Sequence, residues 1–149
     1  MSPAATRARS ATDAMLLDRA FASLPMLGSI AHWQVTALAG GSMNRSWLLA
    51  TTDCKLVLRV PVGDTRELGV DRRGERVAIE CAAQAGLAPQ LVYFDDASGL
   101  MLSRFVEGRQ WQRGEAHDAR CVARLAARLR RLHELEPPEG ARRLEYSTL

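Results

Sequence analysis

Lysine is almost missing from this sequence: of 20 basic residues only Lys55 is a lysine, and the rest are arginines. Read with the abundant alanine, this bias points to coding composition rather than to a nucleic-acid partner, which would cluster its cations between exposed aromatics. Aromatics make up only 5% of the chain, and most stand inside apolar runs. No apolar stretch approaches the ~18 residues that a membrane-spanning helix needs, so no membrane association is expected. Cysteine is scarce too. Cys54, Cys81 and Cys121 are odd in number and widely spaced, and no Cys-x-x-Cys or Cys/His pattern exists. That excludes a disulfide framework and a zinc site, and a reducing cytoplasm is the expected location. The start carries Arg7 and Arg9 among Ala and Ser but no apolar core of a secretory signal, so residues 1–11 are expected to be a disordered lead.

What is present suits one ordinary domain. The 149 residues are 47% hydrophobic and 25% charged, with a net charge of +3. Thr12 to Met26 reads as a helix, with Thr12 as cap, Leu16, Leu17, Ala20 and Leu24 as its stripe, and Pro25 and Gly28 as its stop. Strand signals follow at Trp33 to Ala37, Ser46 to Ala50 and Lys55 to Val60, separated by Gly40-Gly41 and Thr51-Thr52-Asp53. Asp71 to Ala85 reads as a helix closed by Gly86. Leu91 to Phe94 and Leu100 to Val106 read as strands around the turn Asp95-Asp96-Ala97-Ser98-Gly99. His117 to Leu135 carries Val122, Leu125, Leu129, Leu132 and Leu135 at helical spacing and ends at Pro137-Pro138. The expected fold is α+β: a five-stranded antiparallel sheet with one inserted helix, flanked by an N-terminal and a C-terminal helix.

Four segments carry candidate chemistry. In Gly40-Gly41-Ser42-Met43-Asn44-Arg45, two glycines between strands let backbone N–H groups approach phosphate oxygens, although a plain hairpin turn has the same composition. It is not a Walker A loop, because no Gly-Lys-Ser/Thr follows. Leu56-Val57-Leu58-Arg59-Val60 sets one cation in an apolar strand. Such a guanidinium needs an anionic partner or, on an edge strand, a route to solvent. Glu75, near the start of the next helix, is its natural partner, with Glu80 as rival. Met101 to Gly108 is a strand running into a glycine, which on its residues alone is a core strand with an exit turn and in a two-lobed kinase would be the hinge.

In this order, together with Gly86-Leu87-Ala88-Pro89 and Phe105-Val106-Glu107-Gly108, the segments resemble the small lobe of the choline/ethanolamine kinase family. They are similar as well to bacterial thiamine kinases and the broader aminoglycoside phosphotransferases. The resemblance runs from about Ala37 to Leu135 and implies a protein-kinase-like small lobe that binds ATP. By that resemblance Gly40, Gly41 and Asn44 belong to the phosphate-covering loop, and Arg59 is the basic residue of the third strand. Glu75 is its helix partner, and Met101, Ser103 and Phe105 lie in the adenine-contacting hinge. Leu129-Arg130-Arg131-Leu132-His133 resembles the helix ending after the hinge, with His133 structural. The order Ser42-Met43 is reversed from the family's usual pattern, and Ser103-Arg104 replaces its usual hinge pair.

The family's catalytic loop, of the His-Gly-Asp…Asn kind, and its later Mg²⁺-holding acidic motif have no counterpart after His133, so no catalytic or metal residue is assigned. The expected layout is a small lobe over residues 12–108, a linker and amphipathic helix beginning a large lobe over 109–136, and a tail over 137–149. Mg²⁺ and a small-molecule acceptor are then expected only with a large lobe, and the chain alone is expected to be inactive. A regulatory module that binds nucleotide or pairs with a separate lobe is the competing expectation, with self-association through Val122 to Leu135. The stripe Arg120, Arg124 and Arg128 is read as the solvated side of that helix, not as an RNA face.

Overall fold

The computed structural model describes residues 10–39, 43–63, 71–109 and 111–136. The lead over 1–9, the glycines Gly40 and Gly41, and the tail over 137–149 lie outside the described residues. The chain forms two compact units, Met1–Arg72 with Leu91–Phe105 and Arg73–Gln90 with Val106–Leu149.

The first unit holds the sheet. Its strands are β1 (Gln34–Leu38), β2 (Asn44–Ala50), β3 (Lys55–Pro61), β4 (Leu91–Phe94) and β5 (Met101–Arg104), in the order β1-β2-β3-β5-β4. Every pairing is antiparallel. The turn chemistry explains the joints. Thr51 Oγ1 accepts from the N–H groups of Asp53 and Cys54 and closes β2 onto β3. Between β4 and β5, the Asp95 carboxylate accepts from the N–H groups of Ala97 and Ser98, and Gly99 takes φ 73°, a left-handed conformation that favours glycine. A Cβ at Gly99 would stand 2.6 Å from the guanidinium carbon of Arg72, so Arg72 lies directly across this turn.

Helix α1 (Ala11–Ala22) covers one face of the sheet. It starts one residue earlier than expected, because Ser10 rather than Thr12 is the cap. The Asp13 N–H donates to Ser10 Oγ, and the Asp13 carboxylate accepts from the Ser10 N–H. It also ends earlier, and Pro25–Leu27 forms a separate 3₁₀ turn. Trp33 locks that turn by donating its indole N–H to the Leu27 carbonyl at 2.9 Å. Strand alternation then decides the core. Trp47 and Leu49 of β2, Leu56 and Leu58 of β3, and Leu102 of β5 point at Leu17, Ala20, Phe21 and Leu24, and all are buried. Each such leucine contributes about 1.5–3 kcal/mol by leaving water.

The second unit is helical. Helix α2 (Arg72–Gln84) begins at the unit boundary and closes at Gly86, whose φ of 70° lets the Leu87 N–H reach back to the Ala82 carbonyl. Helix α3 (Ala119–His133) is capped by Asp118, which accepts from the N–H groups of Arg120 and Cys121. Before it, a 3₁₀ turn at Arg113–His117 is held by Glu115. That carboxylate takes both arms of the Arg109 guanidinium at 2.6 Å and the Gln112 N–H at 2.7 Å. Arg131 donates to the Ala85 carbonyl at 2.8 Å and ties the end of α3 to the end of α2. No helix among the described residues is long and apolar enough to cross a membrane.

Candidate functional site

The face of the sheet that α1 leaves uncovered carries the other alternation of each strand. Register aligns it into two ranks. Leu38 pairs with Ser46, Ser46 with Arg59, and Arg59 with Met101. One step along, Thr36 pairs with Leu48, Leu48 with Val57, Val57 with Ser103, and Ser103 with Leu91. Neighbouring strands lie about 4.8 Å apart, so each rank is a contiguous row of side chains.

Arg59 occupies the middle of this face. β3 is the central strand, bonded to β2 on one side and β5 on the other. An edge-strand cation reaching out to solvent is therefore not what the fold contains. Arg59 is half-buried, its Nε is a buried atom, and its flanking ranks are apolar or hydroxyl-bearing. Low polarity around a guanidinium strengthens its attraction for an anion.

Asn44 opens β2 opposite Pro61, at the end of β3 nearest Arg59, and the Val62 N–H donates to the Met43 carbonyl at 2.9 Å beside it. Gly40 and Gly41 fall in the stretch between β1 and β2 and lie outside the described residues. Met101 and Ser103 share the Arg59 face, with Ser103 only 2% exposed. Phe105 follows β5. Its N–H donates to the Lys55 carbonyl at 3.1 Å, and Lys55 Nζ stands 5.7 Å from its ring centre. With the Phe105 N–H engaged, any hydrogen bond to an adenine edge must come from other groups of this segment. Glu75 lies in the first turn of α2, half-buried, in the second unit. The structure thus gathers Asn44, Arg59, Met101, Ser103 and Phe105 in one unit.

Ser46 escaped the sequence reading, whereas alternation along β3 already put Val57 on the Arg59 face; both share the ranks of the candidate residues. The signal for Ser46 was the same two-residue alternation, which needed the register to become useful. No group of three or more His, Cys, Asp or Glu that could hold a metal ion exists among the described residues.

The model of the phosphotransferase enzyme family matches residues 34–148. A choline/ethanolamine kinase family protein from Mesorhizobium loti is 30% identical and superposes with a TM-score of 0.61, over 85% of this chain and 40% of its own. An ethanolamine kinase from Plasmodium vivax shares the fold at 13% identity and a TM-score of 0.72, over 89% of this chain and 36% of its own. The chain therefore spans about two fifths of the length of these solved relatives. No curated protein sequence matches it. Matched over most of its length, and built on the five-stranded small lobe of protein-kinase-like folds, the chain belongs to the phosphotransferase enzyme family.

Proposed function

We propose that this chain is the nucleotide-binding small lobe of an ATP-dependent kinase of small hydroxylated molecules, of the choline/ethanolamine, thiamine or aminoglycoside type. The observation that carries the reading is the single guanidinium of Arg59, half-buried at the centre of the sheet on the face opposite α1. In that place it attracts the nucleotide phosphates, the Asn44 end of β2 lies beside them, and the β5 exit at Ser103 to Phe105 borders the base. In this reading these residues hold the nucleotide, and transfer of its phosphate needs an aspartate base and metal-binding residues besides. Mg²⁺ and the acceptor belong to a large lobe.

Calorimetric titration with ATP tests this. Weak binding that falls about tenfold or more in Arg59→Ala is expected. No phosphorylated choline, ethanolamine, thiamine or aminoglycoside should form with ATP and Mg²⁺. Binding unchanged by Arg59→Ala, or turnover that this substitution abolishes, sinks the reading in its two parts respectively.

A second reading rests on α3, whose Val122, Leu125, Leu129 and Leu132 are exposed. A non-catalytic module that pairs with a separate lobe, or with a second copy, would use that stripe. Sub-micromolar ATP affinity together with a dimeric mass favours it; a monomer with weak affinity removes it.

A further inference from the structure

The other face of the first unit holds a cavity of about 540 Å³, within the range of small-molecule sites. It opens between α1, the end of β3 and the β4–β5 turn. Leu16, Ala20, Val60 and Leu100 contribute apolar lining beside its polar groups. Val60 faces the α1 side, the reverse of Arg59, while Pro61, which also lines the cavity, stands opposite Asn44.

Two charges of opposite sign line it, Arg19 from α1 and Asp95 from the β4–β5 turn. Neither is ion-paired among the described residues. Asp95 is pre-set. Its carboxylate accepts from the Ser98 hydroxyl and from the N–H groups of Ala97 and Ser98. The Ser98 hydroxyl first, and then the Ala97 N–H, hold its pKa below the ordinary carboxylate value, so it is charged at neutral pH. Oδ1 takes a single bond, from Ala97, and keeps a lone pair for a donor. Arg19 presents a planar guanidinium able to take a carboxylate on two parallel bonds.

We propose that this cavity binds a small zwitterion whose ammonium and carboxylate are separated by an apolar segment. The carboxylate meets Arg19, the ammonium meets Asp95, and the apolar segment covers Leu16, Val60 and Leu100. The lining's charges cancel, which disfavours a nucleotide or any other polyanion here. The site does not depend on the nucleotide reading, since no residue is shared between the two.

The test is proton–nitrogen correlation NMR on the full chain titrated with ε-aminocaproate, with caproate and hexylamine as single-charge controls. Shifts should gather at the amides of Ala20, Gly63, Ala97 and Ser98, with each control binding about tenfold more weakly. Arg19→Gln, at an exposed position, should weaken ε-aminocaproate about tenfold, to the level of hexylamine. Ser23→Trp, at the rim, should block the cavity. No shift at these amides, equal binding of either control, or an unchanged response in Arg19→Gln overturns the proposal. Arg19→Gln decides alone if Ser23→Trp loses its dispersed spectrum.

Discussion

The two units use the same apolar residues to opposite effect. In the first, Leu17, Leu49, Leu58 and Leu102 are all fully buried between α1 and the sheet. In the second, Leu125, Leu129 and Leu132 stand 46%, 43% and 42% exposed on α3, although their spacing is as regular as any in the chain. The difference teaches that periodicity defines a face, whereas burial needs a second surface to meet it. α1 and the sheet supply that surface to each other. The second unit is held instead by polar ties: the Arg109–Glu115 fork, the Asp118 cap and the Arg131 bond to Ala85.

The contrast can be broken by measurement, and the largest effect should fall in the first unit. Leu58→Ala removes a side chain with no exposed surface from the central strand, and chemical denaturation should record a loss of about 2–5 kcal/mol. Leu125→Ala on α3 should cost only a few tenths of a kcal/mol, roughly at the level of a surface change. A large loss there would mean that α3 buries its stripe in solution. Gly99→Ala comes next. It forces a side chain into a left-handed conformation and onto Arg72, so a loss of about 1–3 kcal/mol is expected in the same assay. Asp118→Ala should cost about 1 kcal/mol, because two N–H groups at the start of α3 lose their acceptor. Amide hydrogen exchange should then report fraying of the first turn of α3 and no change in the sheet.

The smallest effect concerns acid. The Arg109 guanidinium first, and then the Gln112 N–H, lower the Glu115 pKa from 4.5 to about 2. A depressed carboxylate pKa means that the folded form binds its proton less readily than the unfolded chain. The fork's contribution is therefore complete above about pH 4.5 and disappears as the pH falls toward about 2. Glu115→Gln should remove this acid sensitivity from the Arg113–His117 turn, read by exchange of the Gln112 and Glu115 amides. An unchanged acid profile would mean that the fork does not hold in solution.

Much of this architecture was legible from residue order. Five strands, the inserted helix and the turns at Thr51 to Asp53 and Asp95 to Gly99 follow from alternation and from side chains that satisfy nearby backbone groups. The departures occurred at ends. α1 begins at Ala11 because Ser10 and Asp13 cap each other, and a cap at Thr12 would have been equally plausible by composition. The last strand stops at Arg104 rather than continuing to Val106, since the Phe105 N–H makes the final bond to β3. The candidate site was half legible. Arg59 was conspicuous as a cation in an apolar strand with Val57 on its face, but Ser46 looks like an ordinary strand residue.

By itself, the sequence determined where helices and strands form, which residues cap them and which stripe of each is apolar. Those signals act over a few neighbours and are complete in the local chain. Only the tertiary structure decided that β3 is central, that Ser46, Arg59 and Met101 form one row, and that Arg19 and Asp95 share a cavity. Each of these joins residues far apart in the chain. Their proximity depends on strand register and helix packing, which arise from the summed burial of many side chains and from no single local signal.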